Sequence, residues 1–129
     1  MERVKKILIA DNEEDIRISL TMIFKRMGYI VSVAHDGDEA LKILFDSQTG
    51  GQPFDLLICD LQMPILTGLD LVKRMIKKKN RTKVLVIAGV GDKEGVTQLR
   101  RLGCEDFINK PFLPRNIIER VSRLMKDVK

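Results

Sequence analysis

The chain has 129 residues, 44% of them hydrophobic and 32% charged, with a net charge of +5. That length buries the core of one ordinary domain, and the balance excludes a disordered segment. No apolar run approaches the ~18 residues of a membrane span, and the first run is too short for a secretory signal.

The pattern alternates between short apolar runs and helical spacing along the whole chain. Residues 4–10 predict a first strand, whose run Ile7-Leu8-Ile9-Ala10 ends at Asp11. Ile16, Leu20, Ile23, Phe24 and Met27 then recur at helical spacing, and Gly28 supplies a stop. Residues 29–34 alternate and read as an edge strand. Asp36-Gly37-Asp38 leads into a helix carrying Ala40, Leu41, Leu44 and Phe45, and residues 47–53 read as a flexible linker.

Residues 54–59 predict the third strand, closed by Asp60 and the loop Leu61-Gln62-Met63-Pro64. Leu69, Val72, Met75 and Ile76 mark a third helix. Residues 84–88 form a dense run suited to a central strand covered on both faces. The helix over 92–102 is the weakest, with Gly95 inside it and Val96, Leu99 and Leu102 facing inward. Phe107-Ile108-Asn109 predicts the fifth strand, followed by Lys110-Pro111, and Ile117, Ile118, Val121, Leu124, Met125 and Val128 stripe a final helix.

Five such β-α units imply an α/β fold, a doubly wound parallel sheet with helices on both faces. Dense first, third and fourth strands and an edge-like second suit the order 2-1-3-4-5, with a crevice at the carboxyl ends between strands one and three. Residues 1–129 read as a single domain, with no further domain after the last helix.

Cys59 and Cys104 read as reduced small hydrophobes, and one histidine, His35, cannot assemble a zinc site. Cytoplasmic residence follows as the expectation. Lys73, Arg74, Lys77, Lys78, Lys79, Arg81 and Lys83 form a basic run without interleaved aromatics. It reads as a solvated helix C-terminus and not as a nucleic-acid surface.

Three predicted strands thus end at Asp11, Asp60 and Lys110, and a parallel sheet brings those ends together. Two carboxylates at one buried place need a cation between them or a proton on one. Oxygen ligands with open water positions suit Mg²⁺, and no other cofactor is indicated. A carboxylate, a magnesium and a lysine attract a phosphoryl group, and an aspartate can accept it as an acyl phosphate.

The runs Ile7-Leu8-Ile9-Ala10-Asp11-Asn12-Glu13-Glu14-Asp15-Ile16-Arg17, Asp36-Gly37-Asp38-Glu39-Ala40-Leu41, Asp60-Leu61-Gln62-Met63-Pro64 with Gly68, and Lys110-Pro111-Phe112 resemble the response-regulator receiver domains of two-component signalling, a CheY-like superfamily of flavodoxin-like fold. The likeness spans essentially the whole chain, in order and in spacing. It implies that Asp60 accepts a phosphoryl group from a phosphohistidine on a sensor histidine kinase or phosphotransfer protein. It also implies Asp11, Asp60 and the Gln62 main-chain carbonyl as magnesium ligands, Lys110 as the phosphoryl contact, a cis Lys110-Pro111 bond and Phe107 as an aromatic switch. Such a chain is a phosphoprotein that catalyses its own transfer and slow dephosphorylation without being a dedicated enzyme. It binds neither membrane nor nucleic acid directly, and is a monomer or a weak, phosphorylation-dependent homodimer.

Two positions depart from the family's pattern. Asn12 stands where a second acid is usual; it still offers an oxygen to magnesium, but one charge is lost, worth at most ~4 kcal/mol at an effective dielectric of 20. Asn12 also reads as an N-cap for the first helix, and Glu13 beside it as a water-mediated substitute for the missing acid. Ala88 stands where Ser or Thr is usual at the end of strand four, so a hydroxyl–phosphoryl bond of ~1.5–3 kcal/mol cannot form. Both departures favour an alternative, an interaction module of the same fold with weak or vestigial phosphorylation. An unrelated doubly wound enzyme is the third reading, opposed by the lack of a G-x-G-x-x-G or D-x-D after strand one.

Overall fold

A computed structural model describes residues 3–126 and Val128. Its elements run β1 (Lys6–Ala10), α1 (Glu14–Arg26), β2 (Ile30–Ala34), α2 (Gly37–Thr49), β3 (Leu56–Asp60), α3 (Gly68–Lys77), β4 (Lys83–Ala88), α4 (Lys93–Arg101), β5 (Phe107–Asn109) and α5 (Pro114–Met125). The five strands form one parallel sheet in the order β2-β1-β3-β4-β5. This is the doubly wound α/β architecture expected from the pattern, with β2 at an edge and β1, β3 and β4 inside.

Alternation along the strands sends side chains to opposite faces. Ile7, Ile9, Leu56, Ile58, Leu85 and Ile87 pack with Leu20 and Phe24 of α1 and Ile117 and Val121 of α5. Leu8, Ala10, Leu57 and Cys59 face the other way, onto Ala40 and Leu44 of α2 and Leu71 and Met75 of α3. Leu61, Val72, Val86 and Leu99 make a smaller cluster that seats α4, with the half-buried Phe107 against it. The interiors of β1, β3 and β4 are accordingly sealed from water on both sides, as the dense apolar runs required.

Local chemistry sets the helix ends. Asp36 caps α2 by accepting from the Glu39 N–H at 2.8 Å, and Thr67 caps α3 by accepting from the Asp70 N–H at 3.2 Å. Gly28, at φ +96°, takes the left-handed turn that ends α1. Glu13, and not Asn12, occupies the N-cap position of α1, with no side-chain cap bond.

Several boundaries differ from expectation. Ser47, Gln48 and Thr49 form the last turn of α2, so the linker begins only at Gly50. On α3 the inward face runs Gly68, Leu71, Val72 and Met75, while Ile76 is exposed. Leu102 lies beyond α4 as its exposed C-cap, and Val128 lies beyond α5, packed on the core without being helical. Lys83 leaves the basic run: it belongs to β4, and its ammonium donates to the Leu124 carbonyl at 2.8 Å. No helix among the described residues is long and apolar enough to cross a membrane.

Candidate functional site

The sheet register brings the strand ends together. Ala10 lies beside Cys59, so Asp11, the next residue, emerges beside Asp60, the last residue of β3. Asp60 pairs with Ile87, and Ala88 with Asn109, which places Ala88 and Lys110 along the same rim. The Lys110 N–H donates to the Ala88 carbonyl at 2.8 Å, and the Lys110–Pro111 bond is cis.

The carboxylate of Asp60 is almost wholly buried and doubly held. Lys110 Nζ donates to its Oδ2 at 3.0 Å, and the Gln62 N–H donates to its Oδ1 at 3.1 Å. Lys110 also donates to Glu13 Oε1 at 3.0 Å and lies 3.9 Å from Asp11 Oδ2. Burial works against the charge on Lys110, but its bonds to Asp60 and Glu13 outweigh that and raise its pKa. One lysine thus faces three acids.

Asp11 is fully buried. Its Oδ1 accepts from the Glu13 N–H at 2.8 Å, whereas its Oδ2 has no hydrogen bond among the described residues. Burial pushes this carboxyl up to about 6; the Glu13 N–H pulls it back, and the neighbouring Asp60 charge adds to the rise. An unsatisfied buried carboxylate oxygen is costly unless something positive meets it. Oxygens of Asp11, Glu13 and Asp60 lie within 4.8 Å of one another, close enough to share one cation. The hard oxygen donors, the orphaned Oδ2 and the exposed Glu13 at the rim fit Mg²⁺, which keeps part of its water shell. Arg17 donates to the Asp11 carbonyl at 2.6 Å and ties α1 to this loop.

The structure therefore gathers Asp11, Asp60 and Lys110, and adds Glu13 through a direct ion pair where the sequence suggested only an indirect role. Asn12 is exposed, beside the cluster in sequence. Ala88 is buried at the site's edge and borders a cavity of about 400 Å³ shared with Gly89, Asp92, Val96 and Asn109. Phe107 stands apart on β5: the Arg100 guanidinium lies 5.4 Å above its ring, and its carbonyl accepts from Arg120 at 2.6 Å.

One network escaped the sequence. Gln62 Nε2 donates to Asp92 Oδ1 at 2.6 Å, and the Gly89 N–H donates to Asp92 Oδ2 at 2.7 Å. Asp92 is buried. An acid just before a helix reads as an N-cap, yet this side chain makes no cap bond and turns back toward the site. Gly68 completes the β3–α3 connection: a Cβ there would stand 2.7 Å from the Asp60 carbonyl oxygen and 2.9 Å from Leu61 Cα. Only glycine lets α3 start so close beneath the Asp60 loop.

The chain is similar to known proteins over most of its length. The response regulator receiver domain family matches residues 7–122. The chain is 34% identical over 121 residues to the transcriptional regulatory protein ResD of Bacillus subtilis (strain 168), a match covering 94% of this chain and 48% of ResD. It is 36% identical over 112 residues to the Regulator of RpoS of Escherichia coli (strain K12), covering 87% of this chain and 32% of that protein. Among solved structures, the Francisella response regulator 1452 receiver domain superposes with a TM-score of 0.83 at 30% identity, over 97% of this chain and 99% of that one. The chain spans half or less of the length of these curated relatives. By sequence profile, relatives and fold together, the chain belongs to the response regulator receiver domain family.

Proposed function

We propose that this receiver is a phospho-acceptor, taking a phosphoryl group from the phosphohistidine of a sensor histidine kinase or phosphotransfer protein onto Asp60. One observation carries the reading: a buried Asp60 carboxylate held by Lys110, beside an Asp11 oxygen that has no hydrogen-bond partner among the described residues. A carboxylate oxygen of Asp60 forms the new O–P bond as the donor's P–N bond breaks, and the electron pair leaves with the imidazole. Lys110, already 3.0 Å from Asp60, meets the charge on the transferred oxygens. Bound Mg²⁺ would neutralise phosphoryl charge, held by Asp11, Asp60 and the Gln62 carbonyl, with Glu13 and Asn12 at the open side.

In this reading the chain catalyses its own transfer and slow dephosphorylation, in which water cleaves the acyl phosphate, restores the Asp60 carboxylate and releases inorganic phosphate. It works in the cytoplasm, as a monomer or a weak phosphorylation-dependent homodimer, without contacting membrane or nucleic acid directly. The alternative of a vestigial interaction module rests on Asn12 and Ala88. Against it, Glu13 returns a third carboxylate to the cluster, offsetting the charge missing at Asn12.

Acetyl phosphate tests the reading without a cognate kinase. With Mg²⁺, intact mass is expected to show one added phosphoryl group on the parent chain and none on Asp60→Asn. An equal adduct on both chains, or none on either, contradicts it.

A further inference from the structure

We infer that the Gln62 side chain is a positioning device, bonded to Asp92 so that occupancy at Asp60 reaches the 89–92 turn by a route that bypasses the missing hydroxyl at Ala88. The inference rests on the phospho-acceptor reading of Asp60. Three hydrogen bonds run end to end: the Gln62 N–H to Asp60 Oδ1 at 3.1 Å, Gln62 Nε2 to Asp92 Oδ1 at 2.6 Å, and the Gly89 N–H to Asp92 Oδ2 at 2.7 Å. Gln62 is the only residue in the chain of bonds that holds both ends, through its main chain at the acceptor and its side chain at the turn.

Burial of Asp92 stiffens the turn end of the connection, while Gln62 between the two loops is exposed. Asp92 lies out of water, so its carboxylate depends on these two donors and resists losing either. The route spans loops that the sequence places 30 residues apart and that otherwise meet through strand pairing. Ala88 offers only a methyl group at the usual place of a hydroxyl, and Gly89 and Gly91 flank an exposed Val90, leaving the turn few side-chain anchors besides Asp92. A group bonded to Asp60 changes what Asp60 Oδ1 can accept. Gln62 then shifts, and Asp92 and Gly89 are drawn with it.

Two measurements decide the matter, both read by amide NMR. In the chain without ligand, Asp92→Ala is expected to speed exchange of the Gly89 amide about tenfold; unchanged exchange overturns the connection. With Mg²⁺ and beryllofluoride as a phosphoryl mimic, the parent is expected to shift at residues 60–62 and on through 89–93. Asp92→Ala is expected to keep the shifts at Asp60 and Leu61 but lose about half or more of those at Gly89 and Lys93. Gln62→Glu sets two carboxylates against each other and is expected to lose them too. Adding Asp92→Asn to it is expected to restore them, because the introduced amide donates to the introduced carboxylate while its oxygen still accepts from Gly89. A full response at Gly89 and Lys93 in Asp92→Ala, or no rescue in the double variant, overturns the inference alone. A parent chain with no shift at residues 11–13 or 60–62 overturns the phospho-acceptor reading, and the transmission with it.

Discussion

Asp11 is the residue whose surroundings constrain the site most. Burial pushes its folded carboxyl up to about 6 from an ordinary aspartate's 3.8, so between those values the folded chain holds a proton that the unfolded chain has released. Stability therefore falls as pH rises through that window, by ~1–3 kcal/mol in the metal-free protein. Asp11→Asn removes this titration, and its unfolding midpoint in urea is expected to change less between pH 4 and 6.5 than the parent's, and to exceed the parent's at pH 7.5 without metal. Mg²⁺ prefers the ionised form, so its gain in melting temperature is expected to be larger at pH 7.5 than at pH 5 and to shrink in both Asp11→Asn and Glu13→Gln. Ala88 makes a second prediction at this scale. The adjoining cavity of about 400 Å³ leaves room for a hydroxyl and methyl, so Ala88→Thr is expected to fold normally and to enlarge the beryllofluoride-induced shifts across 89–102. No enlargement would mean that a hydroxyl at 88 does not reach the acceptor. Asp11 and Asp60 were legible because each is a charge that abruptly closes an apolar run, and Lys110 because it follows a short strand and precedes a proline. The bond from Gln62 to Asp92 was not, because nothing local distinguishes a buried acid from a capping one when its partner lies 30 residues away.

Elements were legible where burial on two faces leaves a dense run, as in β1, β3 and β4, and where a helix has one clear stripe, as in α5. They were less so where a side chain's place depends on its neighbours. On α3 the face chosen by packing includes Leu71 and leaves Ile76 exposed, because α2 and the sheet meet the helix along Gly68, Leu71, Val72 and Met75. On α4, Gly95 reads as a helix weakener, yet its missing Cβ is where Leu61 packs: an added Cβ would lie 2.8 Å from Leu61 Cδ2. Gly68 is the more demanding glycine, since its close neighbours are backbone atoms of Asp60 and Leu61 and cannot rotate away. Gly68→Ala is expected to lower stability by ~1–3 kcal/mol in urea unfolding and to slow phosphorylation by acetyl phosphate, through the displaced Asp60 loop. Unchanged stability would mean that α3 can retreat freely from the loop.

For the molecule as a whole, the parallel sheet decides where chemistry can occur. All five strands point one way, so their carboxyl ends, and the charges that follow those ends, lie on one rim. The order β2-β1-β3-β4-β5 separates the connections above β1 and β3, and Asp11 and Asp60 stand at that division. Lys110 reaches them from β5 at the far edge. The opposite rim carries no comparable convergence of acids among the described residues. This rim makes Asp60 the proposed phospho-acceptor. The most direct measurement is reductive trapping: borohydride treatment after acetyl phosphate and Mg²⁺, followed by peptide mass spectrometry, converts an aspartyl phosphate to homoserine at the modified position. Homoserine at position 60, lost when Mg²⁺ is removed by chelation, is the expected result; homoserine at position 11 or another acid, with Asp60 intact, would contradict it.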